Sequence, residues 1–175
     1  MGDMGSLFAV DSIQTLQFFL DGLVEVGVPA EIPKKEVVYI AEVLAHYAQT
    51  SSEDSTHLPL ANNLSEAYDR FVLSQFGPEI FSTVADPSIL EVAGSQFLII
   101  AGFFRQHMSR RYNLPYYERL GRTFYASAGH YSNEKNKKEL FFSVASNFPL
   151  WAMTFQSMSR NFRDNPYLLD ISKGS

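Results

Sequence analysis

Between Asp86-Pro87 and Asn113-Leu114-Pro115 the chain runs without a proline, and eight residues of that stretch, Phe97 to Phe104 (FLIIAGFF), carry no polar side chain. Aspartate followed by proline is a strong helix start, because the carboxylate accepts from free N–H groups and proline suits the first turn. The spacing predicts one long helix from Ser88 to about Tyr112. Beta-branched Ile99 and Ile100 would also suit a strand, but the length of the uninterrupted context favours a helix. A helix that is apolar on every side has to be surrounded by others. The expected fold is therefore all-α, a single-domain bundle of six or seven helices with the segment around 88–112 buried at its centre.

The flanking sequence supplies those other helices. Asp11 can cap a first one, in which Ile13, Leu16, Leu20 and Leu23 recur at spacings of three and four, and Gly27-Val28-Pro29 closes it. Pro33 suits the first turn of a second helix with the stripe Val37, Ile40, Leu44 and Tyr47, so the two form a helical hairpin. Thr50 to Thr56 is a polar loop, and Leu60 to Gln75 reads as a third helix ended by Gly77-Pro78, with a short turn around Phe81 and Val84. After Pro115, the residues Tyr117, Leu120, Gly121, Phe124, Ala128 and Tyr131 share one helical face, while Glu118, Arg119, Arg122 and Ala126 take the other. Gly121 on the apolar side lets a neighbouring helix come close. Asn133 can cap a last long helix carrying Phe141, Val144, Phe148, Trp151 and Phe155, which Pro149 should kink or break in two. Residues 1–10 read as a flexible N-terminus, 11–165 as one helical domain and 166–175 as a tail.

Composition excludes more than it identifies. With 175 residues the chain can close a core without staples, and fifteen Phe with nine Tyr make that core bulky. There is no cysteine, which removes disulfides, thiolate nucleophiles, zinc ribbons and iron–sulfur ligation together. The longest apolar run falls far short of the roughly 20 residues of a membrane helix, and the start lacks a basic-then-apolar secretory signal, so the expected location is the cytoplasm. No nucleotide-binding glycine loop, nucleophile elbow or calcium loop occurs. His46, His57, His107 and His130 stand singly, without the i, i+4 histidine pair that holds a metal from one helix face. Neither a catalytic residue nor a cofactor is expected, although carboxylates distant in sequence can still converge.

The charge distribution is the sharper signal. Residues 1–91 hold fourteen acids and three bases, a balance of −11, whereas residues 92–175 hold five acids and eleven bases, a balance of +6. Five of the bases, Arg105, Arg110, Arg111, Arg119 and Arg122, fall within eighteen positions that contain a single acid, Glu118. Arg110 and Arg111 end a helix, where cations complement the negative end of its dipole. Arg119 and Arg122 project from the next helix, and with Tyr112, Tyr116 and Tyr117 beside them the cluster has the chemistry to grip carboxylates or phosphates. The candidate binding surface is accordingly Arg105, Arg110, Arg111, Tyr116, Arg119 and Arg122. A pI near 5.3 and the acidic first half argue against nucleic acid as its ligand.

The stretch Ala101-Gly102-Phe103-Phe104, Arg110-Arg111, Tyr116-Tyr117, Leu120-Gly121 and Tyr125 resembles a pattern in a family of small uncharacterised bacterial proteins, with Tyr39 to Tyr47 and Pro59-Leu60-Ala61 similar to its earlier helices. The resemblance covers residues 37–131 and implies a bacterial, cytosolic origin. It implies no activity and no site residues.

The expected function is a non-enzymatic protein-interaction or regulatory module that presents the basic, tyrosine-bordered surface to an acidic protein, with a homo-oligomer as a further expectation. The alternative is a small carrier holding an acyl or lipid-like apolar ligand between helices; an unrecognised hydrolase stands third.

Overall fold

In the computed structural model, residues 4–50, 86–103, 105 and 113–164 are described. Among them stand six helices and no strand: α1 (Met4–Val26), α2 (Lys34–Thr50), α3 (Pro87–Phe103), α4 (Leu114–Tyr131), α5 (Lys135–Ser146) and α6 (Phe148–Asp164). The fold is all-α, as the periodicity predicts. The predicted helix at 60–75, the short turn after it, the end of the central helix toward Tyr112 and the 166–175 tail lie outside the described residues.

The chain divides into two compact units, Met1–Pro59 with Ser157–Ser175, and Leu60–Gln156. The first contains the expected hairpin of α1 and α2. Gly27 follows α1 with φ +91°, the left-handed conformation that only glycine adopts without strain, and its N–H reaches back to the carbonyls of Leu23 and Val24 at 3.2 and 3.1 Å. Phe19 and Leu23 of α1 are buried, as are Ile40 and Leu44 of α2. Ile13 departs from the predicted stripe and faces out. The start of α1 also differs: the helix begins at Met4, so Asp11 is interior rather than its cap. Leu7, Phe8, Ala9 and Val10 extend the apolar helical sequence upstream, and no proline stops it.

In the second unit α3 packs on α4, and α4 on α5. The Asp86 carboxylate accepts the Ser88 N–H at 2.9 Å, the cap that the Asp-Pro pair predicts. From Ala93 to Gly102 every residue of α3 is buried, including Ser95, whose hydroxyl donates to the Val92 carbonyl. Three glycines make this possible. A Cβ at Gly94 would lie 2.8 Å from the Tyr125 ring, one at Gly102 would lie 2.5 Å from the Phe155 Cβ, and one at Gly121 would overlap the Phe148 ring. Tyr125, Phe148, Trp151 and Phe155 are fully buried together with Phe97. Tyr125 is thus a core residue at the edge of the predicted apolar face of α4, while Tyr131, placed on that face by periodicity, is exposed.

Pro149 breaks the last helical stretch in two. It falls in the first turn of α6, where its missing donor costs nothing, and Asn147 carries the junction: its N–H donates to the Ser143 carbonyl, and its own carbonyl accepts from Trp151, both at 2.9 Å. The N-cap of α5 is Glu134 rather than Asn133, with the Lys138 N–H on the Glu134 carbonyl at 2.9 Å and no side-chain cap. Asn133 therefore sits one position outside the helix.

The glycine contacts rank in severity. The Phe155 Cβ is fixed to its backbone, so Gly102→Ala forces two helices apart, whereas Gly121→Ala presses on the far end of a ring that can tilt. Alanine gains about 1 kcal/mol of helix propensity over glycine, and overpacking costs about 1–3 kcal/mol. Denaturant unfolding should show both variants destabilised, Gly102→Ala the more, with Phe148→Leu recovering part of the loss in Gly121→Ala. Gln96 offers the opposite test: it is buried and its Oε1 has no hydrogen-bond partner among the described residues. Gln96→Met keeps the shape and removes the orphan acceptor, so stability should rise by about 1 kcal/mol.

Candidate functional site

The break at Asn113 to Pro115 determines how α4 presents its side chains. Asn113 precedes the helix and its carbonyl accepts from Tyr116 and Tyr117 at 3.1 and 3.3 Å, which starts the helical register there. From that start Tyr116, Arg119 and Arg122 follow at intervals of three along one exposed side. The two arginines face outward as the helical pattern predicts.

The structure gives the candidate residues different surroundings. Arg105, two positions beyond α3, pairs with Glu118 of α4 at 2.5 Å; with side-chain exposures of 31% and 18% the pair is partly buried and ties the end of α3 to α4. Arg122 donates from Nε to the Ala145 carbonyl at 3.2 Å. That carbonyl lies in the last turn of α5, where helix geometry leaves acceptors without intrahelical donors and concentrates negative potential. Arg119 has no side-chain partner among the described residues, its carbonyl accepting the Thr123 hydroxyl at 2.8 Å. Arg110 and Arg111 lie outside the described residues, as does Tyr112.

Tyr116 is 40% exposed, and it is not isolated. Its ring stands edge-on to Tyr117 at 5.4 Å; Tyr117 stacks on Phe97 of α3 at 6.1 Å, and Phe97 stacks on Phe124 at 5.6 Å. A surface aromatic is therefore backed by a row of rings that ends in the core. Such offset and edge-to-face pairs each add about 0.5–1.5 kcal/mol beyond the area they bury. The row holds Tyr116 in place beside Arg119.

A second feature lies where α3 and α5 begin. Ser88 and Glu91 of α3, Ser132, Asn133 and Glu134 ahead of α5, and Phe141 are among the residues around a cleft of about 190 Å³. Glu134 sits 3.8 Å from Lys137, so acidic and basic groups offset one another there. Sequence reasoning passed over this cleft, since it is made by two helix starts that are distant in the chain. Among the described residues no group of three or more His, Asp or Glu side chains stands together in a way that would hold a metal ion, and no helix is long and apolar enough to cross a membrane.

Comparison with protein-family models, with curated proteins and with solved structures finds no match to this chain. The geometry alone carries the functional argument.

The arginines separate by their contacts, and stability should separate them likewise. Arg122→Ala removes the donor from the end of α5 and should cost about 1 kcal/mol in denaturant unfolding, while Arg119→Ala should stay within about 0.5 kcal/mol of the parent.

Proposed function

We propose that this chain is a bacterial, cytosolic, non-enzymatic protein-interaction module that docks an acidic protein through the outward side of α4, anchored on Tyr116 and Arg119. One observation carries the reading: an exposed tyrosine, held by a ladder of rings, stands one turn from an arginine with no side-chain partner among the described residues. A ring already fixed in place loses little rotamer freedom when a partner covers it, and a guanidinium offers a planar fork that matches a carboxylate. Tyrosine and arginine are also the residue types that most often anchor protein interfaces.

Within the second unit the carrier reading has less support, since Tyr125, Phe148 and Phe155 already fill the glycine notches between helices.

Arg119 is the residue to reverse, because Arg122 also serves the end of α5. The parent chain and Arg119→Glu, each immobilised, would be exposed to extract of the source cells at low and at raised salt, and the retained proteins quantified. Acidic proteins should be retained by the parent, lost from Arg119→Glu and released by salt, with the unfolding midpoint unchanged. Equal retention on both would overturn the proposal.

A further inference from the structure

We infer that one partner of the α4 surface is a second copy of this chain, which offers the outward face of α1. The inference rests on the reading of α4 given above and adds the identity of the occupant.

The face of α1 has the composition such a surface needs. Val24 and Ile13 are 74% and 66% exposed, large apolar side chains left open on a well-formed helix. Val24 is three residues from Asp21, and Asp21 and Glu25, four apart, form an exposed carboxylate row along one side of it within one turn. Gln17 donates to Asp21 at 2.8 Å and holds that carboxylate along the same side. From Ile13 to Glu25 this face carries no base.

The outward side of α4 is the counterpart. Tyr116 supplies the apolar anchor, Arg119 and Arg122 the charge, and the acid of this segment, Glu118, is engaged by Arg105. At 1.5 Å per residue, Ile13 to Glu25 spans roughly 18 Å and Tyr116 to Ala126 roughly 15 Å. Asp21 and Glu25 are separated by about 6 Å of helix rise, Arg119 and Arg122 by about 4.5 Å, so two carboxylates and two guanidinium groups come into register when the helices lie alongside. Charge and length both match. The contact joins two different faces, hence it is heterologous, and each copy retains one of each.

This geometry permits a test that a structural role for these residues would not pass. Purified full-length chain would be followed by sedimentation equilibrium over a concentration series at low and high salt. The parent should self-associate, more weakly at high salt. Arg119→Glu alone, and the pair Asp21→Lys with Glu25→Lys alone, should each weaken association about tenfold or more. Lysines in the last turns of α1 suit the negative end of that helix, so the second variant should remain folded, which its unfolding midpoint verifies. An equimolar mixture of the two variants should associate again, because the untouched acids of one meet the untouched arginines of the other and the reversed pair is complementary too. A parent that stays monomeric at every concentration, an Asp21/Glu25 variant that associates like the parent, or a mixture no tighter than its components would overturn the inference. Were the parent monomeric while Arg119→Glu still lost its proteins from extract, the α4 surface would stand and only the occupant would be wrong.

Discussion

The structure depends on helices approaching one another more closely than side chains ordinarily permit. At Gly94, Gly102 and Gly121 the missing Cβ is replaced by Tyr125, Phe155 and Phe148. The exchange is favourable by magnitude: a glycine inside a helix costs about 1 kcal/mol relative to alanine, whereas fully burying a phenylalanine contributes about 1.5–3 kcal/mol. Phe148 and Phe155 belong to the stretch of α6 that Pro149 separates from α5. Without the break at Asn147 a single straight helix would carry Phe141 and Phe155 along one axis, and the rings of α6 would not be aimed independently of those of α5. A proline and three glycines thus determine how the aromatic side chains of the second unit interlock.

The ends of the helices explain where much of the arginine excess goes. Helix α5 finishes at Ser146, where the Asn147 N–H reaches the carbonyls of its last turn and Arg122 supplies a further donor to one of them, Ala145, from α4. Arg105 is taken by Glu118. Both contacts follow from folding α4 back after the Asn113 to Pro115 break, which brings the arginines near acceptors distant in sequence. Part of a cluster that looks like one binding motif is consumed in holding α3, α4 and α5 together. Arg119 stays exposed beside Tyr116, and Arg122 keeps an exposed side chain although its Nε is engaged.

How much of this was legible in the sequence depends on whether the deciding contact is local. Asp86-Pro87, Gly27 and Pro149 act through their own backbone or that of residues within a turn, and each was readable. The outward direction of Arg119 and Arg122 followed from periodicity alone. The start of α1 and the choice of Glu134 over Asn133 were missed because several adjacent residues satisfy the same local rule, and neither α5 nor α4 is opened by a side-chain cap bond. Tyr125 was missed for another reason: its burial is decided by the notch at Gly94, 31 positions away by the two residue numbers, and nothing in the local pattern announces a notch on another helix. The same distance concealed the Ala145 carbonyl as the acceptor of Arg122. The row from Tyr116 to Phe97 was half visible, as a cluster of tyrosines whose stacking partners were not.

The net charge of −5 is compatible with the basic docking surface proposed on α4. At physiological ionic strength the screening length is about 8 Å, so a partner lying on α4 responds to charges within roughly one and a half helical turns of its contact and little to the total. In that radius the exposed side of α4 offers Arg119 and Arg122, with Glu118 turned toward Arg105. The excess of acids over bases, nineteen against fourteen, keeps whole molecules mutually repulsive at long range. Attraction then operates only when the right faces meet at short range. In the proposed docking this would favour correctly oriented contacts over indiscriminate association, because a mismatched encounter brings acid against acid before any tyrosine or valine is covered.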